Sequence, residues 1–322
     1  MDTTHVPADP SSDPGDDPTD DPLAGLLSGP ARRRDHDGPT FSVIIPTFRR
    51  PALLGEAVAS VLAQTRQDWE CLIVDDGGDE VVEPPDPRVR VLRRPWSGGP
   101  AAARNTGVEA ARGRYLTFLD DDDRYTPRRL ELAAAGLARA PVAVCWTRWF
   151  DPAGADAGRP AGDPSGGPAR GRWLVGDVSD QILDTTTPHL GATAVAAEAI
   201  VPFDPRYRAA EDVEWWLRQA ERARVDTIAE LGCEIRRHDG VRANQTDVRA
   251  RLVASQRLLD ERTSWFANHP RAKSYRWARM GAMAAAAGDR PRARNAYLRS
   301  VYARPTPGGT RGLIQAWLPH PR

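Results

Sequence analysis

Four consecutive aspartates, Asp120-Asp121-Asp122-Asp123, follow directly on the apolar run 114–119. Two carboxylates about 4 Å apart repel by ~1 kcal/mol in water but by ~4 kcal/mol at an effective dielectric near 20. On an exposed turn the run is therefore nearly free and needs no ligand. Behind a buried strand it calls for a cation, and hard oxygen donors suit Mg²⁺ or Mn²⁺. An EF-hand is excluded, because its sixth loop position would be Tyr125 where glycine is required. Asp75-Asp76 closes an earlier apolar run and is followed by Gly77, which taken alone is ordinary turn chemistry. Glu211-Asp212 opens a helical pattern, where the helix dipole favours acids whatever the function. Of the six histidines, His189 and His238 are the two in the stretch that could close a crevice with these acids.

The elements that must position these groups are legible in the hydrophobic pattern. Phe41–Thr47 is a β-branched run stopped by proline, as in a buried parallel strand. Pro51 sits where a first helical turn accepts it, and Leu53, Leu54, Ala57, Val58, Val61 and Leu62 follow at helical spacing. Strands are expected at 69–74, 89–92, 114–119, Val142–Phe150, 193–197 and Val225–Arg236, and helices at 101–111 and 212–222. A further helix is expected to open at Thr126-Pro127, with Thr126 as its cap. Strands alternating with helices imply an α/β fold, a mostly parallel sheet flanked by helices, with ligands beyond the carboxyl ends of the strands. Two of these strands end in carboxylates, so the carboxylates should converge on one crevice.

The chain has 322 residues, enough for roughly two domains. Residues 1–40 alternate proline with Asp, Gly and Ser and are expected to form a disordered acidic tail. Residues 41–240 hold the α/β pattern, with a flexible Gly/Pro-rich loop expected at 151–171. Residues 241–322 read as a helical C-terminal extension that includes one hairpin with a Gly288-Asp289-Arg290-Pro291 turn. Basic and acidic residues balance at 44 each, which excludes a general polyanion binder, so no nucleic acid partner is expected. Only Lys273 is a lysine, which leaves no P-loop lysine and makes Schiff-base chemistry a poor fit. The three cysteines lie far apart without CxxC spacing, and no apolar run approaches the ~18–20 residues of a transmembrane helix. The chain reads as cytoplasmic.

Taken in order, several segments resemble the family 2 glycosyltransferases of GT-A fold. They are Phe41-Ser-Val-Ile-Ile-Pro-Thr-Phe48, Val74-Asp-Asp-Gly77, Ala103-Arg-Asn-Thr-Gly107, Gly113-Arg-Tyr-Leu-Thr-Phe-Leu-Asp-Asp-Asp-Asp123 with Pro127, and Glu211-Asp212 with Trp215-Trp216-Leu-Arg218. The resemblance implies that Pro46 and Thr47 border the nucleotide base, that Asp76 with Asp75 hydrogen-bonds it, and that Arg104 approaches the base or diphosphate. It implies Asp122 as metal ligand within the family's DxD region, Asp120 or Asp121 near the ribose, Asp212 as catalytic base and His238 as a late ligand completing the metal site. The cofactor would be Mn²⁺ or Mg²⁺.

The activity implied is inverting, metal-dependent transfer from a nucleoside-diphosphate sugar, a UDP- or dTDP-sugar, to a hydroxyl acceptor. Glycan, lipid-linked and small-molecule acceptors stay open, as do dimerisation and peripheral contact at the inner face of a membrane. Two alternatives compete. A sugar-phosphate nucleotidyltransferase shares the general architecture but normally carries a glycine-rich first loop, where this chain has Thr47-Phe-Arg-Arg-Pro51. A non-catalytic scaffold has no need of both Asp122 and Asp212.

Overall fold

A computed structural model describes residues 38–78, 81–151, 174–237 and 248–318. The acidic tail, most of the 151–171 loop and His238 lie outside the described residues. Strands β1 (Phe41–Thr47), β2 (Trp69–Asp75), β3 (Val89–Arg93), β4 (Tyr115–Phe118), β5 (Arg124–Tyr125), β6 (Val142–Phe150), β7 (Thr193–Ala196) and β8 (Val225–Arg236) form one sheet in the order β3-β2-β1-β4-β7-β6-β8-β5. The half from β3 to β4 is parallel throughout. β7 runs antiparallel to both β4 and β6, β6 and β8 are parallel, and β5 is antiparallel to β8, so the whole is a mixed sheet.

Alternation along the parallel strands explains why both faces are covered. Phe41, Val43, Ile45, Cys71 and Ile73 pack with Leu54, Val58 and Val61 of α1 (Pro51–Leu62) and with Leu130, Ala133 and Leu137 of α3 (Arg129–Leu137). Ile44, Leu72, Val74, Leu116 and Phe118 pack on the opposite face with α2 (Gly99–Ala110) and α4 (Glu211–Arg222). Such two-sided burial is what continuous apolar strands in a parallel sheet require. α2 approaches β1 closely at Gly107, where a Cβ would stand 2.4 Å from Ile44 Cγ2.

The second core continues without a break into the C-terminal helices α5 (Val248–Glu261), α6 (Thr263–Asn268), α7 (Pro270–Ala286), α8 (Arg290–Ala303) and α9 (Pro307–Trp317). Leu252, Phe266, Trp277 and Ala296 belong to it. Polar ties reinforce the seam: Tyr207 Oη donates to Glu261 at 3.0 Å and Arg276 to the Thr185 carbonyl at 3.0 Å.

Two expected boundaries shift for physical reasons. Thr126 does not cap α3, because its hydroxyl donates to the Leu231 carbonyl of β8 at 3.0 Å, so the helix begins at Arg129. α2 begins two residues earlier than its apolar pattern, at Gly99, because a distant carboxylate caps it.

Candidate active site

That carboxylate is Asp76. Its Oδ1 accepts from Gly98 N at 3.1 Å, and its Oδ2 accepts from Gly99 N at 2.8 Å and from Ser97 Oγ at 2.8 Å. Arg94 Nε lies 2.8 Å from Oδ1, in a buried ion pair. Asp76 thus holds the amino end of α2, whose dipole favours a negative charge there. Asp75 Oδ1 accepts from Gly78 N at 2.8 Å. Between them Gly77 has φ +76°, and a Cβ there would meet the backbone of Trp96 and Ser97 at 2.7 Å, so only glycine fits the turn. The structure therefore uses Asp75 and Asp76 first to build the loop walls around the ends of β1 and β2.

The acidic run follows β4, beside the end of β1. Asp121 is buried: its Oδ2 accepts from Thr47 Oγ1 at 2.7 Å, and its Oδ1 takes Arg50 Nη1 at 3.1 Å. Burial, aided by Asp122 and Asp120 and opposed by Arg50 and Thr47, pushes the Asp121 carboxyl up to about 6. The same Arg50 nitrogen lies 3.1 Å from Asp122 Oδ2. Asp123 Oδ1 accepts from Arg236 N at 2.9 Å. Carboxylate oxygens of Asp120, Asp122 and Asp123 lie within 4.8 Å of one another. This all-oxygen donor set fits a hard divalent cation such as Mg²⁺ or Mn²⁺.

Arg104 joins the run to α4. Its guanidinium is buried between Asp120 Oδ1 and Glu211 Oε1, each at 2.7 Å. Burial works against its charge, but the two carboxylates more than offset that and hold it fully protonated. The next residue, Asn105, exchanges two hydrogen bonds with the Phe203 backbone, at 2.8 and 2.9 Å, and so ties down the segment that leads to α4. Trp215 and Trp216 fix the helix itself. Both are fully buried, their indole N–H groups donate to the Val201 and Pro188 carbonyls at 2.9 Å, and Trp215 stacks on Phe203. Glu211 is the buried acid of the Glu211-Asp212 pair, its carboxyl raised by burial and by Asp212 against the pull of Arg104. Asp212, half-buried, begins the first turn beside it.

Among the described residues, two that are not glycine have positive φ, Arg49 and Ala210, both at 56°. Arg49 follows β1 and Ala210 precedes Glu211, so the strain sits at the two edges of this acidic network, as is common at functional sites.

Several of the predicted residues among those described are thus linked. Asp76 N donates to the Thr47 carbonyl at 3.0 Å, Thr47 reaches Asp121, Arg50 joins Asp121 to Asp122, and Arg104 joins Asp120 to Glu211 beside Asp212. Pro46 lies one residue back in β1, paired with Val74 of β2.

Sequence reasoning missed three members. Arg50 could have been flagged as a cation one residue before a helix that faces the acidic run. Glu211 was read only with its neighbour. The sequence places His189 near the crevice without a role, and its Nε2 lies 3.6 Å from Asp120 and 3.5 Å from Asp123. Gly191 N donates to His189 Nδ1 at 3.2 Å, which leaves the ring proton on Nε2, facing the carboxylates. In that tautomer the Nε2 proton points towards Asp120 and Asp123. Cys233, the third member of a candidate cluster with Asp123 and His189, is buried, and burial pushes its thiol up, so it adds no ready thiolate.

Residues 42–182 match the family described as Glycosyl transferase family 2. Over that stretch the chain is similar to family 2 glycosyltransferases. An uncharacterized glycosyltransferase of Haemophilus influenzae is 39% identical over 100 residues, 29% of this chain and 40% of that protein. The UDP-Glc:alpha-D-GlcNAc-diphosphoundecaprenol beta-1,3-glucosyltransferase WfgD of Escherichia coli is 35% identical over 96 residues, 28% of this chain and 38% of that protein. The matches thus span about two-fifths of these relatives' length. The fold is also that of S. aureus TarS, solved in complex with UDP-GlcNAc, with a TM-score of 0.60 at 15% identity over 86% of this chain and 89% of that one. Among the described residues, no helix is long and apolar enough to cross a membrane.

Proposed function

We propose that this chain transfers a sugar from a nucleoside-diphosphate sugar to a hydroxyl acceptor, with inversion and with a divalent cation. The observation that carries the reading is the connected carboxylate network. Arg104 joins the acids at the end of β4 to the start of α4, and Thr47 and Arg50 hold the β4 acids beside the end of β1, where the Asp76 main-chain N–H meets the Thr47 carbonyl. The presence of UDP-GlcNAc in the TarS structure supports a UDP-sugar donor, and the acceptor in WfgD's name supports a lipid-linked glycan among the acceptor classes. We take 41–240 as the catalytic unit with the helices of 241–322 packed against it, working in the cytoplasm.

Asp122, with Asp120 and Asp123, would hold Mn²⁺ or Mg²⁺, and His238 is retained as a further ligand. Such an ion supplies the positive charge that a departing diphosphate requires. Asp75, Asp76, Pro46 and Thr47 shape the base end of the crevice. Asp120 and Asp121 are assigned to the nucleotide's sugar, and Arg104 holds Asp120 in place for that contact. Asp212 takes the acceptor's proton as its oxygen attacks the anomeric carbon from the side opposite the diphosphate, and one in-line displacement inverts that centre. Glu211, bonded to Arg104, fixes the turn from which Asp212 acts.

A thermal-shift screen of nucleotide sugars with Mn²⁺ tests the reading, since a donor that binds only the folded chain raises its apparent stability. Stabilisation by one nucleoside diphosphate and its sugars, dependent on the metal, is expected. Stabilisation by nucleoside triphosphates with sugar phosphates instead would favour the nucleotidyltransferase.

A further inference from the structure

The last two helices are built inside out. α9 turns its small residues Gly309, Gly312 and Ala316 inward and leaves Ile314, Trp317 and, just past its end, Leu318 at 56, 59 and 55% exposure. A helix held only by burial of its own apolar side chains would do the reverse. The inward choice is enforced by Tyr297 of α8, whose ring would meet a Cβ on Gly312 at 2.2 Å. α8 adds Leu298 and Tyr302, the latter 95% exposed, on positions four residues apart. Arg290 bonded to the Leu318 carbonyl and Arg294 bonded to the Ala316 carbonyl set the two helices antiparallel. That register puts Leu298 within about one helical turn of Ile314. Large apolar residues therefore line the outer side of one helix pair.

The charge on this pair is equally one-sided. Residues 290–318 contain six arginines and no Asp or Glu, and 248–318 contain fourteen Arg and Lys against three acids. Arg299, Arg304 and Arg311 are exposed, and Arg294 lies over the Trp317 ring at 4.3 Å. A second copy meeting this face through its own equivalent would bring arginine against arginine. A polyanion would match the charge but leave Ile314, Leu318 and Leu298 in water. A surface that takes both bulky apolar side chains and arginines is the headgroup region of an anionic bilayer.

We propose that α8 and α9 form a docking face for an anionic lipid surface. Trp317, Leu318, Ile314 and Tyr302 enter the headgroup boundary and the arginines sit among the lipid charges. The proposal goes beyond the catalytic reading and does not depend on it.

The test is co-sedimentation of the full chain with phosphatidylcholine vesicles made with and without phosphatidylglycerol, at low and high salt. Binding to the phosphatidylglycerol vesicles alone, weakened by salt, is expected. The double variant Ile314→Ser/Trp317→Ser should lower the partition by about tenfold or more through lost apolar insertion. Arg304→Glu/Arg311→Glu should lower it comparably. Unchanged far-UV circular dichroism and an unchanged melting temperature confirm intact folding of both variants. Equal binding to both vesicles, no binding at low salt, or binding that neither variant changes would overturn the proposal. So would dimers that the serine variant dissociates, or binding to an RNA oligonucleotide in place of vesicles.

Discussion

Arg50 Nη1 lies 3.1 Å from Asp122 Oδ2, and the same nitrogen is 3.1 Å from Asp121 Oδ1. A side-chain cation therefore bridges two of the carboxylates of the acidic run, which lowers their mutual repulsion in a part of the protein where water screens it poorly. A divalent ion taken up by Asp122 must compete with this guanidinium. Arg50 is about a quarter exposed, so the pair is worth on the order of 1 kcal/mol or less. Arg50→Met is thus expected to tighten Mn²⁺ binding without nucleotide by up to about fivefold, measured by isothermal titration calorimetry. Unchanged or weaker affinity would show that the pair does not oppose the ion.

Asp121 gives a pH signature. Its carboxyl is pushed up to about 6 from an ordinary 3.8, first by burial. Between those values the folded chain holds a proton that the unfolded chain has lost, so this group's contribution to stability falls as pH rises through that window. Asp121→Asn should flatten that slope and leave the protein at least as stable as wild type near neutral pH. Urea unfolding of both proteins at several pH values checks it, and a parallel slope in the variant would contradict it.

Glu211 and Asp212, adjacent in sequence, should fail differently. Glu211→Gln leaves the buried Arg104 with a single carboxylate, Asp120, and breaking a buried pair in this way costs about 3–5 kcal/mol. Its melting temperature should fall. Asp212→Asn should leave stability and donor binding near wild type while lowering transfer by more than the ~10²–10⁴ usual for a general base. Calorimetry alongside a transfer assay separates the two.

Gly107→Ala tests how tightly α2 is set against the sheet. The new methyl would stand 2.4 Å from Ile44 Cγ2 and 3.3 Å from Val74 Cγ2, both in the core. Overpacking of this kind costs about 1–3 kcal/mol, read as a lower denaturation midpoint. Because Arg104 and Asn105 ride on the same helix, donor affinity should fall with it.

The sequence made the strand-end acids legible because strands such as Phe41–Thr47 are dominated by apolar residues and stop abruptly at polar ones. It made Trp215-Trp216 legible as part of a motif, but not as the clamp that holds α4 through the Val201 and Pro188 carbonyls. Partners far apart in the chain were the hidden part. Nothing local announces that Arg50 meets Asp122 seventy-two residues on, or that Asp76 caps a helix beginning at Gly99. Thr126-Pro127 carried a helix-start signal that β8 overrode by taking the threonine hydroxyl.

The central claim, that these acids and a divalent ion act on a sugar donor's diphosphate, is tested most directly by nucleoside diphosphate release from a UDP-sugar, with and without Mn²⁺, in wild type and Asp122→Ala. The account predicts release that requires the metal and is lost in Asp122→Ala while the variant stays folded. Release that persists in excess chelator and in Asp122→Ala would contradict it.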